Sequence, residues 1–252
     1  VWVIAFLCGK KTRLRLYPPH MRMDGKLIGP VLALGASPFI MSATESLVGI
    51  VINTSLRRVS PDLATADMYV GAYSIIASVM QMVMMPLTGL SQGAQPIISY
   101  NYGAARFDRV RKAYKCFLIT AVSFTGFMWA ASMLFPVLFV RMFNSDAGLI
   151  GATVPALRLY MSGIGLFGIQ IACQQTFVAT GHAKISLFLA LLRKVILLIP
   201  LVLVFSRFWG ATGVFAAEPV ADITAVVCTA LAFFLSRRSV FGNPALEGRP
   251  GG

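Results

Sequence analysis

Two sets of ionisable residues lie inside stretches that are otherwise apolar. Glu45 is the one charged residue between Leu27 and Leu56. Glu218 and Asp222 are the only charges between Gly210 and Leu235, and Arg193 and Lys194 fall in the apolar run before them. A carboxylate in hydrocarbon costs roughly 3 kcal/mol or more unless it is paired or reaches water. Such a group exchanges a proton, holds a cation or locks two helices together. Pro38, Ser42, Glu45, Gly49 and Asn53 recur at helical spacing, so they share one face. A face of small and polar residues turns toward other helices or a watery cavity. Glu45 is therefore the candidate ion-coupling or substrate-charge site. A structural glutamate paired to a neighbouring base is the other reading.

Glu218 and Asp222, four residues apart, also share a helix face. The two runs carrying this second set are expected to form a hairpin that turns near Phe208–Trp209. Counting out from that turn at about 1.5 Å per residue brings Asp222 to nearly the depth of Arg193 and Lys194. This predicts a buried, structural ion pair between Asp222 and one of those bases.

Neutral polar residues mark further candidates. The segment PLTGLSQGAQPIISYNYGA, Pro86–Ala104, places Ser91, Gln92, Gln95, Ser99 and Asn101 between apolar residues near membrane depth. Its Gly and Pro residues would break a helix in water. In a membrane they are tolerated, because neighbouring helices re-satisfy the freed backbone groups. This segment is expected to face a cavity. Gln81, Gln92, Gln95, Gln170, Gln174 and Met41 join Ser42, Gly49 and Asn53 as cavity-lining candidates. Met80, Met82, Met84 and Met85 cluster beside Gln81. Soft, unbranched side chains suit a surface that accepts many ligands, although ordinary packing explains them too. Gly163, Gly165 and Gly168, just before Gln170, point to close helix approach.

The elements that position these residues follow from composition. The 252 residues are 57% hydrophobic and 12% charged, with a mean hydropathy of +0.77. That is the profile of repeated membrane spans. Six are expected, near Leu27–Leu56, Met68–Tyr100, Cys116–Val140, Val154–Thr180, Ile185–Phe205 and Gly210–Leu235. The fold class is all-α, a polytopic six-helix membrane bundle. Residues 1–8 read as the end of a truncated helix, 9–26 as a basic cytoplasmic loop, 27–236 as the bundle and 237–252 as a disordered cytoplasmic tail.

The net charge is +13. It gathers between spans: Lys10, Lys11, Arg13, Arg15, Arg22 and Lys26, then Arg106, Arg109, Arg111, Lys112 and Lys115, then Lys184, then Arg237, Arg238 and Arg249. The opposite loops hold only Arg57, Arg58, Arg141 and Arg207. The positive-inside rule places the rich loops and the C-terminus in the cytoplasm of a plasma-membrane protein. This distribution is not that of a nucleic-acid binder, which shows its charge on one solvated face.

Enzyme signatures are missing: there is no P-loop, no GxSxG, no HExxH and no dinucleotide fingerprint. Cys8, Cys116, Cys173 and Cys228 lack metal-ligand spacing, and His20 and His182 read as loop residues. No metal and no organic cofactor are expected.

The run PLTGLSQGAQPIISYNYGAARFDRVRKA resembles the eighth-helix signature of the MATE multidrug and toxic compound extrusion transporters. Further blocks agree in order: LRL at 14–16, LIGPVLALGASPF at 27–39, FVATGHAKISLFLALLRKVILLIP at 177–200 and GVFAAEPVADITA at 213–225. The resemblance implies one six-helix lobe, helices seven to twelve, of a twelve-helix antiporter whose N-terminal lobe is missing from this chain. It implies alternating access, with H+ or Na+ exchanged for small amphipathic or cationic compounds across the bilayer. It also implies that Glu45, spaced from Leu34–Gly35 as in sodium-coupled members, is the helix-seven glutamate. The acidic residue of helix ten in those members has no counterpart here, where the fourth span holds glutamines. A lipid or lipid-linked sugar flippase of the same superfamily and a non-transporting membrane scaffold are the alternatives.

Overall fold

The structure, a computed structural model, describes residues 25–241. The readings placed on residues 1–24 and 242–252, including Cys8 and His20, lie outside the described residues. The chain divides into two compact units, 1–42 and 43–252. In the first, the described residues are helical. The second holds every contact discussed below.

The described residues form helices joined by short turns, without a strand among them. In chain order they are α1 (Gly25–Val59), α2 (Leu63–Gly103), α3 (Phe107–Leu134), a short α4 (Pro136–Arg141) and α5 (Ala147–Met161). A 3₁₀ turn (Ile164–Leu166) leads to α6 (Phe167–Ala179) and α7 (Ala183–Leu191). A π-helical stretch (Leu192–Leu198) then runs into α8 (Ile199–Phe241). Among the described residues, five stretches are long and apolar enough to cross a membrane: Phe39–Val59, Leu63–Gly103, Phe107–Leu134, Ala147–Ala179 and Lys184–Arg237.

The last stretch is two arms rather than one. Gly210 has φ 58° and ψ −139°, a conformation that only glycine adopts readily. Arg193 and Asp222 are 29 residues apart yet hydrogen-bonded. Along a straight helix they would be separated by about 44 Å, so the chain folds back at Gly210. This is the hairpin expected near Phe208–Trp209.

Burial follows helical periodicity. Val48, Ile52 and Leu56 of α1 meet Ile76, Val79, Val83 and Leu87 of α2 in one core with Leu157, Met161, Leu198 and Val202. Pro86 and Pro96 leave α2 unbroken through Gly103. Its 41 residues span roughly 60 Å, about twice a hydrocarbon core, so the signature segment extends α2 well past one crossing.

Three local differences from the sequence reading stand out. The basic residues from Arg109 to Lys115 lie on the first turns of α3, and the connection before them is only residues 104–106. The third span ends at Leu134, because Phe135 leaves helical geometry (φ −123°, ψ 47°) ahead of Pro136. Helicity at the C-terminal end continues to Phe241, past the expected start of a tail at 237.

Candidate functional site

Glycines set the spacing of the helices around the buried charges. A Cβ on Gly168 would come within 2.7 Å of the Ala121 carbonyl and 2.8 Å of Thr125 Oγ1, so α6 packs backbone to backbone on α3. The break between α5 and α6 frees a carbonyl, and Thr125 Oγ1 donates to that of Gly165 at 3.1 Å. Gly163, in the same break, lies against Pro219 and Asp222; a Cβ there would be 3.0 Å from Pro219 Cα and 3.2 Å from Asp222 Cβ. The interruption of the fourth span thus brings its backbone to the level of the α8 carboxylates.

The π-helical stretch carries Arg193 and Lys194. Consecutive residues point to different sides of a helix, and the two bases reach different partners. Arg193 Nε donates to Asp222 Oδ1 at 2.5 Å, and Nη2 donates to Glu218 Oε1 at 3.1 Å. The guanidinium also stacks 4.4 Å above the centre of the Phe167 ring. All three charged side chains are buried: Arg193 is 9% exposed, Glu218 3% and Asp222 2%. Lys194 Nζ instead donates to Glu45 Oε2 of α1 at 2.8 Å. Glu45 is 63% exposed.

Beside these charges lies a cavity of about 470 Å³. Glu45 and Val48 enter it from α1; Tyr73, Ala77, Met80, Gln81, Met84 and Thr88 form one face of α2; Tyr160, Phe167, Arg193, Lys194 and Glu218 close it. The Tyr73 and Tyr160 rings meet edge to face with centroids 6.4 Å apart. The wall therefore combines aromatic faces, thioethers, an amide and a hydroxyl with two carboxylates and two bases. A larger cavity of about 670 Å³ lies between residues 50–59 and 203–210. It holds Arg58 and Arg207 and no carboxylate among the described residues, so the charged cluster belongs to the smaller one.

Of the sequence-derived candidates, Glu45 and Gln81 line the 470 Å³ cavity. Asp222 and Arg193 come together, while Lys194 goes to Glu45. The remaining cavity candidates are not among its lining residues. Gln170 is buried, and among the described residues its Oε1 has no hydrogen-bond partner, nor has Gln174 Nε2. Gln92 is exposed and Gln95 half-buried on α2; Gly49 and Asn53 are half-buried on α1. Met41 and Ser42 are exposed and belong to the first unit; the side chain of Pro38 lies outside the described residues. Tyr73, Tyr160 and Thr88 were not read as site residues. The signal was present for two of them: Tyr73, Ala77, Met80, Met84 and Thr88 follow helical spacing through the methionine cluster.

This geometry can be set beside known proteins. The family description MatE matches residues 38–204. The chain belongs to the MatE family. Among curated relatives, the multidrug export protein MepA of Staphylococcus saprophyticus is 21% identical over 237 residues, 94% of this chain and 51% of that protein. MepA of Staphylococcus aureus strain NCTC 8325 is 22% identical over 226 residues, 90% of this chain and 48% of that protein. Among solved structures, the MATE multidrug transporter DinF-BH, solved as a ligand complex, aligns with a TM-score of 0.76 and 32% identity, covering 95% of this chain and 52% of that one. An inward-facing multidrug resistance MATE transporter of the MOP superfamily shares the fold, with a TM-score of 0.79 at 15% identity over 96% of this chain and 56% of that one. This MATE-family chain spans about half the length of the relatives it matches. Its described residues form a multi-pass helical bundle that matches about half of the transporter fold.

Proposed function

We propose that this chain is the C-terminal lobe of a cation-coupled antiporter that exports organic cations by alternating access. The observation that carries the reading is Glu45, an accessible carboxylate on the wall of a 470 Å³ cavity whose other surfaces are aromatic, thioether and amide. Such a wall receives flat or flexible apolar bodies without demanding one shape. The carboxylate supplies attraction for a positive charge. Lys194, its partner, is the group an entering cation displaces. The similarity to a multidrug transporter solved with a bound ligand supports a small amphipathic compound as cargo.

In this reading the lobe rocks against an N-terminal lobe around the midplane cavity, with H+ or Na+ as the driving ion. The basic residues at the start of α3 and at the end of α8 lie on the cytoplasmic side of a plasma membrane. A lipid or lipid-linked sugar flippase needs free bases in its cavity for an anionic headgroup. Here both Arg193 and Lys194 are engaged by carboxylates, which favours cationic cargo.

The test is ethidium efflux from cells stripped of other efflux pumps and expressing the complete reading frame. The proton gradient and the sodium gradient are collapsed separately. Efflux that stops with one gradient is expected, and it names the ion. A folded, inserted protein without efflux under any gradient would overturn the reading.

A further inference from the structure

We propose that Glu218 is the proton-carrying carboxyl of this lobe, giving up its proton when a monovalent organic cation occupies the cavity and recovering it when the cation leaves. This rests on the antiporter reading and assigns the proton to α8, leaving Glu45 as the group that attracts the cargo.

The geometry separates the three carboxylates of the cluster. Asp222 Oδ1 lies 2.5 Å from both Nε and Nη2 of Arg193, so its charge is closely paired. Glu45 is 63% exposed and bonded to Lys194, so its charge is both hydrated and paired. Glu218 is not hydrated, and it shares its base with Asp222. It is 3% exposed, its Oε1 takes a shared Nη2 contact at 3.1 Å, and its Oε2 is buried with no hydrogen-bond partner among the described residues. An ionised oxygen without a donor in a dry site is strongly unfavourable. Glu218 nevertheless lines the cavity, so the bare oxygen is one step from water or cargo. A proton on Oε2 removes the defect.

Charge balance agrees. The groups facing Glu218 are Glu45 of α1, Tyr73 of α2, Tyr160 of α5, Arg193 and Lys194 of the π-helical stretch, and Asp222 of its own helix. Three carboxylates face two bases, and one proton makes the set neutral. A monocation entering the cavity restores that neutrality by itself, and the proton becomes superfluous. The step is an exchange in which the Oε2–H bond breaks and the proton passes to cavity water. The carboxylate left behind balances the bound cation. Net charge in the cavity stays constant, which is the condition for one-for-one antiport.

The experiment uses the complete protein, purified in detergent, with ethidium as probe. Carbodiimide labelling of the wild type, mapped by mass spectrometry, is expected to mark Glu218 increasingly from alkaline to acidic pH, with protection by ethidium. The ethidium Kd is expected to weaken about tenfold per unit fall in pH where one proton is displaced. In E218Q, which keeps the shape of the protonated acid, the Kd should be independent of pH. In E45Q binding should weaken with the pH slope retained. Labelling confined to Glu45, or a pH slope that survives in a folded E218Q, overturns the proposal. So does a Kd that responds to sodium at constant pH and not to protons. Absence of ethidium binding at every pH counts against the antiporter reading; the labelling of Glu218, which needs no variant and no cargo, still decides whether it carries the proton.

Discussion

Neutralising Asp222 would leave Arg193, more than nine-tenths buried, with Glu218 at 3.1 Å as its one carboxylate partner among the described residues. Removing one partner from a buried ionic cluster costs about 3–5 kcal/mol. Asp222→Asn is therefore expected to lower stability by that amount, read as the thermal unfolding midpoint in detergent. Asp222→Leu combined with Arg193→Met should be less destabilised than Asp222→Leu alone, because the orphaned charge is gone. The outer pair behaves differently. Glu45 is largely exposed, so Lys194→Gln should change stability by no more than about 1 kcal/mol. The same change frees Glu45 and should tighten ethidium binding several-fold, whereas Glu45→Gln should weaken it; a Lys194→Gln protein that binds ethidium more weakly would contradict the assigned roles. The charges themselves were conspicuous in the sequence, since each interrupts an apolar run. Their partners were only partly legible. Depth counted from the hairpin turn put Asp222 level with both bases and could not choose between them. The Lys194–Glu45 contact joins residues 149 apart, and no local pattern encodes that.

At the scale of elements, two backbone features make opposite predictions. The α2–α3 connection turns through Ala105 at φ 53°, the left-handed region, with Arg106 N donating to Asn101 O at 2.9 Å to close the helix end. An L-residue with a Cβ costs about 1–2 kcal/mol there relative to glycine. Ala105→Gly should therefore raise the unfolding midpoint, after the greater freedom of glycine in the unfolded chain takes back part of that gain. Gly168→Ala should do the reverse by about 1–3 kcal/mol, because its Cβ would meet the Ala121 carbonyl at 2.7 Å and backbone cannot swing aside. If Gly168→Ala melts like the wild type, the α3–α6 contact is looser than this packing implies. Hydropathy made the long helices legible, and the tip at Gly210 lies within two residues of the expected Phe208–Trp209. The interruption at Phe135 had a local signal in Pro136 that hydropathy passes over. Those at residues 162–166 and at Leu192–Leu198 were not legible. They leave composition unchanged, and they depend on where Thr125, Pro219 and the buried charges lie in space.

At the scale of the whole molecule, the cavity raises a question of access. Its walls come from α1, α2, α5, α6, the π-helical stretch and α8, and the carboxylate with the greatest exposure is Glu45. In an alternating-access transporter such a face works against a second lobe that closes one side while the other opens. The chain spans about half the length of its MATE relatives. Expressed by itself it is expected to insert, protect its buried amides from hydrogen exchange and bind ethidium weakly through Glu45, yet drive no efflux. Under the antiporter reading, co-expression with an N-terminal lobe supplied as a separate chain should restore gradient-dependent efflux, since the two lobes need only dock and rock. Efflux from this chain alone would mean that two copies supply both lobes. In that case mixing wild-type and Glu45→Gln copies should give intermediate activity in proportion to the mixed pairs, whereas a lobe that waits for its natural partner should show none at any ratio.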